Sequence, residues 1–263
     1  MGTKKIIMNL DDVGLLHCIN AAAMDLLRAT PISSMSVMVP GPWMPGIIKS
    51  ILSLERPIDI GVHLCLTSEW PTIRMRPVLG ESVPSLLDKD GYLCPGADGW
   101  SGGWDLDEVA REFRAQIALL EKWGVEPTHL DAHMVFYYWR PELLDVLVDV
   151  AREKRLPLFV HMRKYIEQCD RLGAMCPAYG NLANYFFPPG NREEAYNEFL
   201  KLFPDDSVGV LALHVSLNHP ELAAAMGEEG IRRIEEYDLF TEPGIFERFG
   251  VEVVRPADLY VAG

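Results

Sequence analysis

Short aliphatic runs alternate with amphipathic helical stretches along the whole chain, and that alternation is what most narrows the fold. Ile6–Leu10, Met35–Val39 and Ile58–Leu66 read as buried strands. Between them lie an Ala- and Leu-rich helix from Asn20 to Ala29 and an amphipathic segment from Ile47 to Leu54. A repeating strand, helix, strand order signals parallel strands joined by helical crossovers. Asn20 reads as the cap of the first helix and Pro31 as its stop. Further strands are expected at Pro127–His133, Leu158–Met162, Val208–Val215 and Val251–Val254. Further helices are expected from Asp105, a capping residue, to Gly124, after Pro141, from Asn191 to about Phe203, and over Pro220–Arg233 and Glu242–Phe249. The stretches 67–104 and 163–190 carry no clear period and read as long irregular loops, the kind that form lids or interfaces. With no linker or repeat, residues 1–263 read as a single α/β domain, a distorted or incomplete (β/α) barrel with long loops. A doubly wound open sheet is the alternative.

Charge and cysteine usage exclude several classes. A formal charge of −14 argues against a nucleic-acid footprint and against docking on an anionic membrane face, and suits a neutral or cationic substrate. Five cysteines without a CxxC pair favour neither a disulfide framework nor a thiolate zinc site. The first five residues are too short for a secretory signal and no run is long enough to span a membrane, so a cytoplasmic protein is expected.

The chemistry concentrates at strand ends. Asp11 and Asp12 terminate the first strand, and His63, His133 and His214 terminate or sit late in the third, fourth and sixth. In a barrel these ends converge on one face, where catalytic groups gather. Adjacent carboxylates repel and are costly to bury, so they call for a cation or a catalytic task. Two imidazoles and one carboxylate make a three-ligand site for zinc, magnesium, manganese or another divalent ion holding water, with the second carboxylate placed as a base. Each element alone has an ordinary explanation: a strand histidine is more often hydrogen-bonded core, and paired acids more often cap a helix. Their coincidence at matching strand ends is the argument.

The same segments resemble the YdjC-like (ChbG/HpnK) carbohydrate deacetylases. The matching pieces are NLDDVG at 9–14, GVHLCLT at 61–67, EFRAQI at 112–117, PTHLDAH at 127–133 and the histidine of LALHVSLNHPEL at 211–222, in the family's order. The resemblance implies a (β/α) barrel that removes N-acetyl groups from amino sugars or oligosaccharides with a divalent metal and an activated water. It implies Asp12, His63 and His133 as metal ligands, Asp11 as base, His214 as the acid that protonates the departing amine, and Asp131 as a residue tuning a neighbouring ligand. The chain departs from the family's DSHQH-like and HPG-like stretches, which here read DAHMV at 131–135 and HVS at 214–216. His219, five residues on, is therefore an alternative acid. Other metallohydrolases of ester or phosphoester bonds, and a sugar-binding barrel without turnover, are the competing functions.

Several residues remain as secondary candidates. His129 shares the strand of Asp131 and reads as mostly structural. Arg163 follows the fifth strand and is a candidate for a sugar hydroxyl or a catalytic carboxylate, or for an ordinary salt bridge. Tyr137, Tyr138 and Trp139 follow His133, and Trp70, Trp100 and Trp104 lie in the first long loop. They are candidates for stacking on sugar faces, or for loop anchors or a dimer contact, and a homodimer is compatible with the long loops. His17 reads as a surface residue and His161 as packed.

Overall fold

The computed structural model describes residues 4–96, 103–177, 179–181, 190–204 and 207–259; Trp100 and residues 182–189 of the second long loop lie outside them. Among the described residues, seven parallel strands form one curled sheet with helices packed around it: β1 (Lys4–Val13), β2 (Ser34–Val37), β3 (Asp59–Leu64), β4 (Leu130–Ala132), β5 (Tyr179–Asn181), β6 (Val208–Leu213) and β7 (Val251–Val253). Their order is β4-β3-β2-β1-β6-β5, with β7 joined to the start of β1. This is the incomplete barrel expected from the alternation. The helices are α1 (His17–Ala29), α2 (Met44–Leu52), α3 (Leu106–Lys122), α4 (Glu142–Lys154), α5 (Arg163–Arg171), α6 (Arg192–Lys201), α7 (Pro220–Met226), α8 (Glu229–Thr241), α9 (Ile245–Phe249) and α10 (Pro256–Leu259). None of the described helices is long and apolar enough to cross a membrane.

Strand alternation divides the molecule into two interiors. Ile6, Met8 and Leu10 of β1 join the large apolar core beneath the helices. Ile7 points the other way, into a small cluster with Val210 and Phe159 that plugs the barrel. Above this plug the inward residues turn polar. His129 stacks on Phe159 at 4.3 Å between centroids and reaches Asn9 Oδ1 at 3.1 Å and Ser36 Oγ at 3.0 Å. Asn9 Nδ2 donates onward to Asp11 Oδ1 at 2.7 Å. Burial holds the His129 ring neutral, down to about 4, so it serves this network as a donor and acceptor without charge.

Four expectations are corrected. Asn20 is not a cap: α1 starts at His17, and Asn20 Oδ1 instead accepts from Gly14 N at 2.7 Å. Leu158–Met162 does not form a ladder. It makes one bridge, from Leu158 to Leu130, and Met162 turns left-handed (φ 70) into α5. The stretch 163–190 is not all irregular, because it holds α5 and β5; only Tyr165, Ile166 and Cys169 of α5 are buried, too short a stripe to show a period. The single helix expected over Pro220–Arg233 is two, broken at Gly227, whose φ of 56 suits glycine. The cap at Asp105 forms as expected, accepting from Asp107 N and Glu108 N.

The inner polar layer leaves no spare room at Gly61. A Cβ built there meets the His129 ring at 2.3 Å, and that ring is held by Phe159, Asn9, Ser36 and Thr128. Gly61→Ala should therefore lower the unfolding free energy by about 1–3 kcal/mol, the usual cost of overpacking. Urea denaturation measures it, and an unchanged midpoint would refute the packing described.

Candidate metal centre

Asp11 and Asp12 are neighbours on β1, and in a regular strand their side chains would point to opposite faces. Here both reach the same site. Asp12 takes a left-handed backbone (φ 62), and the β1–β2 register slips between Leu10 and Val13. A bulge of this kind re-aims a side chain at a strand end, and aspartate tolerates the conformation better than most residues.

The re-aimed Asp12 completes a small triangle. Its Oδ1 lies 3.3 Å from His63 Nε2 and 3.2 Å from His133 Nδ1, and the two nitrogens are 3.3 Å apart. All three residues are buried. Donors about 2.0–2.2 Å from a tetrahedral or octahedral ion sit about 3.0–3.5 Å from one another, so the triangle has the size a divalent ion needs. Asp12 Oδ1 is buried and accepts no well-formed hydrogen bond. A buried carboxylate oxygen without a donor is costly, and a cation removes that cost. The residues fit a divalent metal.

Each ligand candidate is held from behind. Arg233 of α8 donates to Asp12 Oδ2 at 2.6 Å, leaving Oδ1 for the site. Asp131 Oδ1 accepts from His63 Nδ1 at 2.8 Å, which turns Nε2 toward the triangle. Glu69 Oε2 lies 3.0 Å from His133 Nε2. Burial works against the charge of Asp12, yet Arg233 and then His133 and His63 hold its carboxyl well below the usual range. Burial also disfavours charge on His133, but Glu69 and Asp12 lift it to about 9. His63 is likewise raised well above 6.5 against its burial, by Asp131 and Asp11. The site therefore attracts positive charge strongly.

A second group, Asp11, His63 and Asp131, also lies close enough to share an ion. It is already occupied by a donor: Asn9 Nδ2 reaches Asp11 Oδ1 at 2.7 Å and Asp131 Oδ2 at 3.3 Å. Asp11 feels burial first and Asp131 second, and both raise its proton affinity well above that of an ordinary aspartate.

Asp11, His63, His133 and His214 line a cavity of about 180 Å³ whose remaining wall is Ala132, Met134, Val135 and Trp139. His214 Nε2 lies 3.8 Å from Asp11 Oδ2. Its backbone N–H donates to Glu236 Oε2 at 2.7 Å, and burial pushes its ring down to about 3, so it rests neutral. A larger groove of about 570 Å³ along α1 and α2 touches none of the residues at the triangle, so size alone does not select the site.

The structure brings Asp11, Asp12, His63, Asp131, His133 and His214 together and leaves other candidates elsewhere. His219 is exposed and caps α7, accepting from Glu221 N at 3.2 Å. Arg163 is exposed and, among the described residues, pairs with Glu167, one helical turn away, because α5 turns its first residue to solvent. Tyr137 is fully buried, its hydroxyl accepting from His161 N at 3.2 Å on the far side of the strained turn after His133. His129 lies below the site in the polar layer. Trp70 and Trp104 are buried, whereas Trp139 is partly exposed at the cavity. Sequence reasoning missed Glu69, Arg233 and Glu236. The last two had a sign: they fall on the buried stripe of α8 with Gly230, Leu239 and Phe240, where charges need a reason.

Comparison with known proteins shows the family of the chain. The model of the YdjC-like protein family matches residues 5–249. A carbohydrate deacetylase of Thermus thermophilus is 35% identical over 231 residues, covering 84% of this chain and 80% of that one. A chitooligosaccharide deacetylase of Yersinia pestis is 32% identical over 59% of this chain and 58% of its own. A crystal structure from Enterococcus faecalis, named for cellobiose-phosphate cleavage, superposes with a TM-score of 0.85 at 24% identity, covering 98% of this chain and all (100%) of that one. The chain therefore belongs to the YdjC-like family.

Proposed function

We propose that this chain is a divalent-metal-dependent deacetylase that hydrolyses the acetamide of an N-acetylated amino sugar or oligosaccharide, releasing acetate and the free amine. The observation that carries the reading is the triangle of Asp12 Oδ1, His63 Nε2 and His133 Nδ1 opening onto a cavity that also presents Asp11 and His214. The names of the relatives supply the substrate class.

Asp12 Oδ1, His63 Nε2 and His133 Nδ1 would hold the divalent ion, which would supply polarisation of an acyl oxygen and a lowered pKa of water. The protein's own groups move the protons. Asp11 Oδ1 is taken by Asn9, so Oδ2 is the oxygen that accepts the proton of the attacking water. The raised proton affinity of Asp11 suits it to keep that proton through the attack. His214 rests neutral, so it protonates the departing nitrogen only after taking up a proton within the same turnover. Asp11 Oδ2, 3.8 Å from its Nε2, is placed to provide it. Glu236 fixes the His214 backbone from below, and Tyr196 in turn donates to Glu236. The apolar side of the cavity, Ala132, Met134, Val135 and Trp139, keeps water from the acyl group.

The test is acetate release from N-acetylglucosamine oligomers by the metal-loaded chain, with acetyl esters and phosphoesters as comparators. Acetamide turnover should dominate and should vanish with a chelator; preference for a phosphoester would overturn the reading. Asp11→Asn should lower kcat by roughly 10²–10⁴-fold, the range for losing a general base, with metal content unchanged. Full activity in that variant would remove Asp11 from its role.

A further inference from the structure

His133 has two ring nitrogens, and only one of them faces the triangle. Nδ1 lies 3.2 Å from Asp12 Oδ1, so Nε2 must carry the ring proton if Nδ1 is to offer its lone pair. Glu69 Oε2, 3.0 Å from Nε2, is an acceptor in the right place to fix that tautomer and the ring's orientation. The Glu69 side chain is 12% exposed and that of His133 2%, so this contact is well shielded from water. Asp131 makes the equivalent contact to the back of His63, with the nitrogens exchanged.

Glu69 comes from the long insert after β3, and its neighbour touches the third ligand candidate indirectly. The Trp70 ring lies 6.2 Å from the His133 ring, and the Arg233 guanidinium sits 5.9 Å from the Trp70 ring centre. Arg233 is the group that holds Asp12. One dipeptide of the insert thus backs both His133 and the support of Asp12. The dipeptide is anchored in turn: Ser68 N donates to Cys94 O at 2.8 Å, and Ser68 Oγ accepts from Met75 N at 2.9 Å. Glu112 of α3 receives the backbone N–H groups of Val78 and Leu79, which ties the rest of the insert to the barrel wall.

We infer that Glu69 is a positioning residue that presents His133 Nδ1 to the ion, and that the insert is through it an integral part of the metal site. The inference rests on the metal reading above. It concerns ion retention, so it is measurable without any substrate. The full chain is stripped of metal and titrated with Co²⁺ against a chromophoric chelator, and the visible spectrum of the bound ion is recorded. Asp12→Ala serves as the control for the site itself. Glu69→Ala should weaken binding by about 10–100-fold, the range for losing an outer partner of a ligating histidine, and should alter the Co²⁺ spectrum. Glu69→Gln keeps an oxygen acceptor without the charge, so it should bind with an intermediate affinity.

A Glu69→Ala chain that melts earlier yet binds Co²⁺ with wild-type affinity and spectrum would overturn the inference and leave Glu69 a loop anchor. Should Glu69→Ala fail to fold, Glu69→Gln decides, and wild-type affinity there overturns it equally. Wild-type protein that binds no Co²⁺, or Asp12→Ala protein that binds it as well as wild type, would instead overturn the metal reading, and this inference with it.

Discussion

The site depends on one backbone irregularity. A parallel strand delivers alternate side chains to its two faces, so Asp11 and Asp12 cannot both face the barrel mouth while β1 stays regular. The left-handed turn at Asp12 breaks the alternation, at a cost of roughly 1–2 kcal/mol for a residue that is not glycine. The surrounding structure has to hold it there. Arg233 does so by gripping Asp12 Oδ2, and the Leu15 N–H closes the turn onto Asp12 O at 3.2 Å. A conformer that took Asp12 away from Arg233 would leave a buried charge uncompensated, at about 3–5 kcal/mol, which is more than the strain of the turn. The two acids thereby acquire different surroundings. Asp12 lies against a guanidinium and two imidazoles, whereas Asp11 lies against an amide and a third carboxylate. Burial raises the proton affinity of both; Arg233 and the two imidazoles overcome it at Asp12, whereas Asp131 adds to it at Asp11, although the residues are adjacent in the chain.

The polar layer beneath the site explains how so many charges are kept buried. Asn9 is its centre, accepting from Ser34 Oγ at 2.6 Å and donating to Asp11, Ser36 and Asp131. Each bond satisfies a group that would otherwise lose its hydration with nothing in return. Below it the barrel reverts to Ile7, Val210 and Phe159. The gradient from apolar plug through neutral hydrogen bonds to charged rim runs along the strand, so it is encoded by alternate residues of β1: Ile7, Asn9 and Asp11.

That encoding accounts for what was legible in the sequence. The fold was readable because parallel strands and their crossovers have separate periods, and the cluster because Asp11, Asp12, His63, His133 and His214 all fall at strand ends. The different surroundings of Asp11 and Asp12 were not readable from spacing, since they are set by the φ of one residue and by an arginine 221 positions away. Glu69 was hidden for a similar reason. It lies in a stretch with only short 3-10 turns and single bridges, and its contact with His133 spans 64 positions of the chain. Arg163 misled in the opposite way. It follows a strand-like run, but Leu158–Met162 makes a single bridge and turns into α5 with the arginine pointing to solvent.

The segment after His133 shows how the rim is finished. Met134 and Val135 both have left-handed backbones, with φ of 58 and 42, and for a β-branched residue that is a strained conformation. The strain has a geometric consequence: the chain doubles back at once, so His133 stays at the triangle while Met134 and Val135 line the cavity and Phe136 and Tyr137 drop into the core. Phe136 stacks on Phe113 of α3 at 5.5 Å and Tyr137 meets Tyr165 of α5 at 5.0 Å, so the turn is clamped by the burial of two aromatic rings. Fully burying each such side chain is worth about 1.5–3 kcal/mol, enough to hold two strained residues. The turn that lines the cavity is thus packed, through Phe136, on the same helix that anchors the insert carrying Glu69. The Met134–Val135 turn and the Glu69 insert share one support in α3, with α5 as the turn's second clamp through Tyr165.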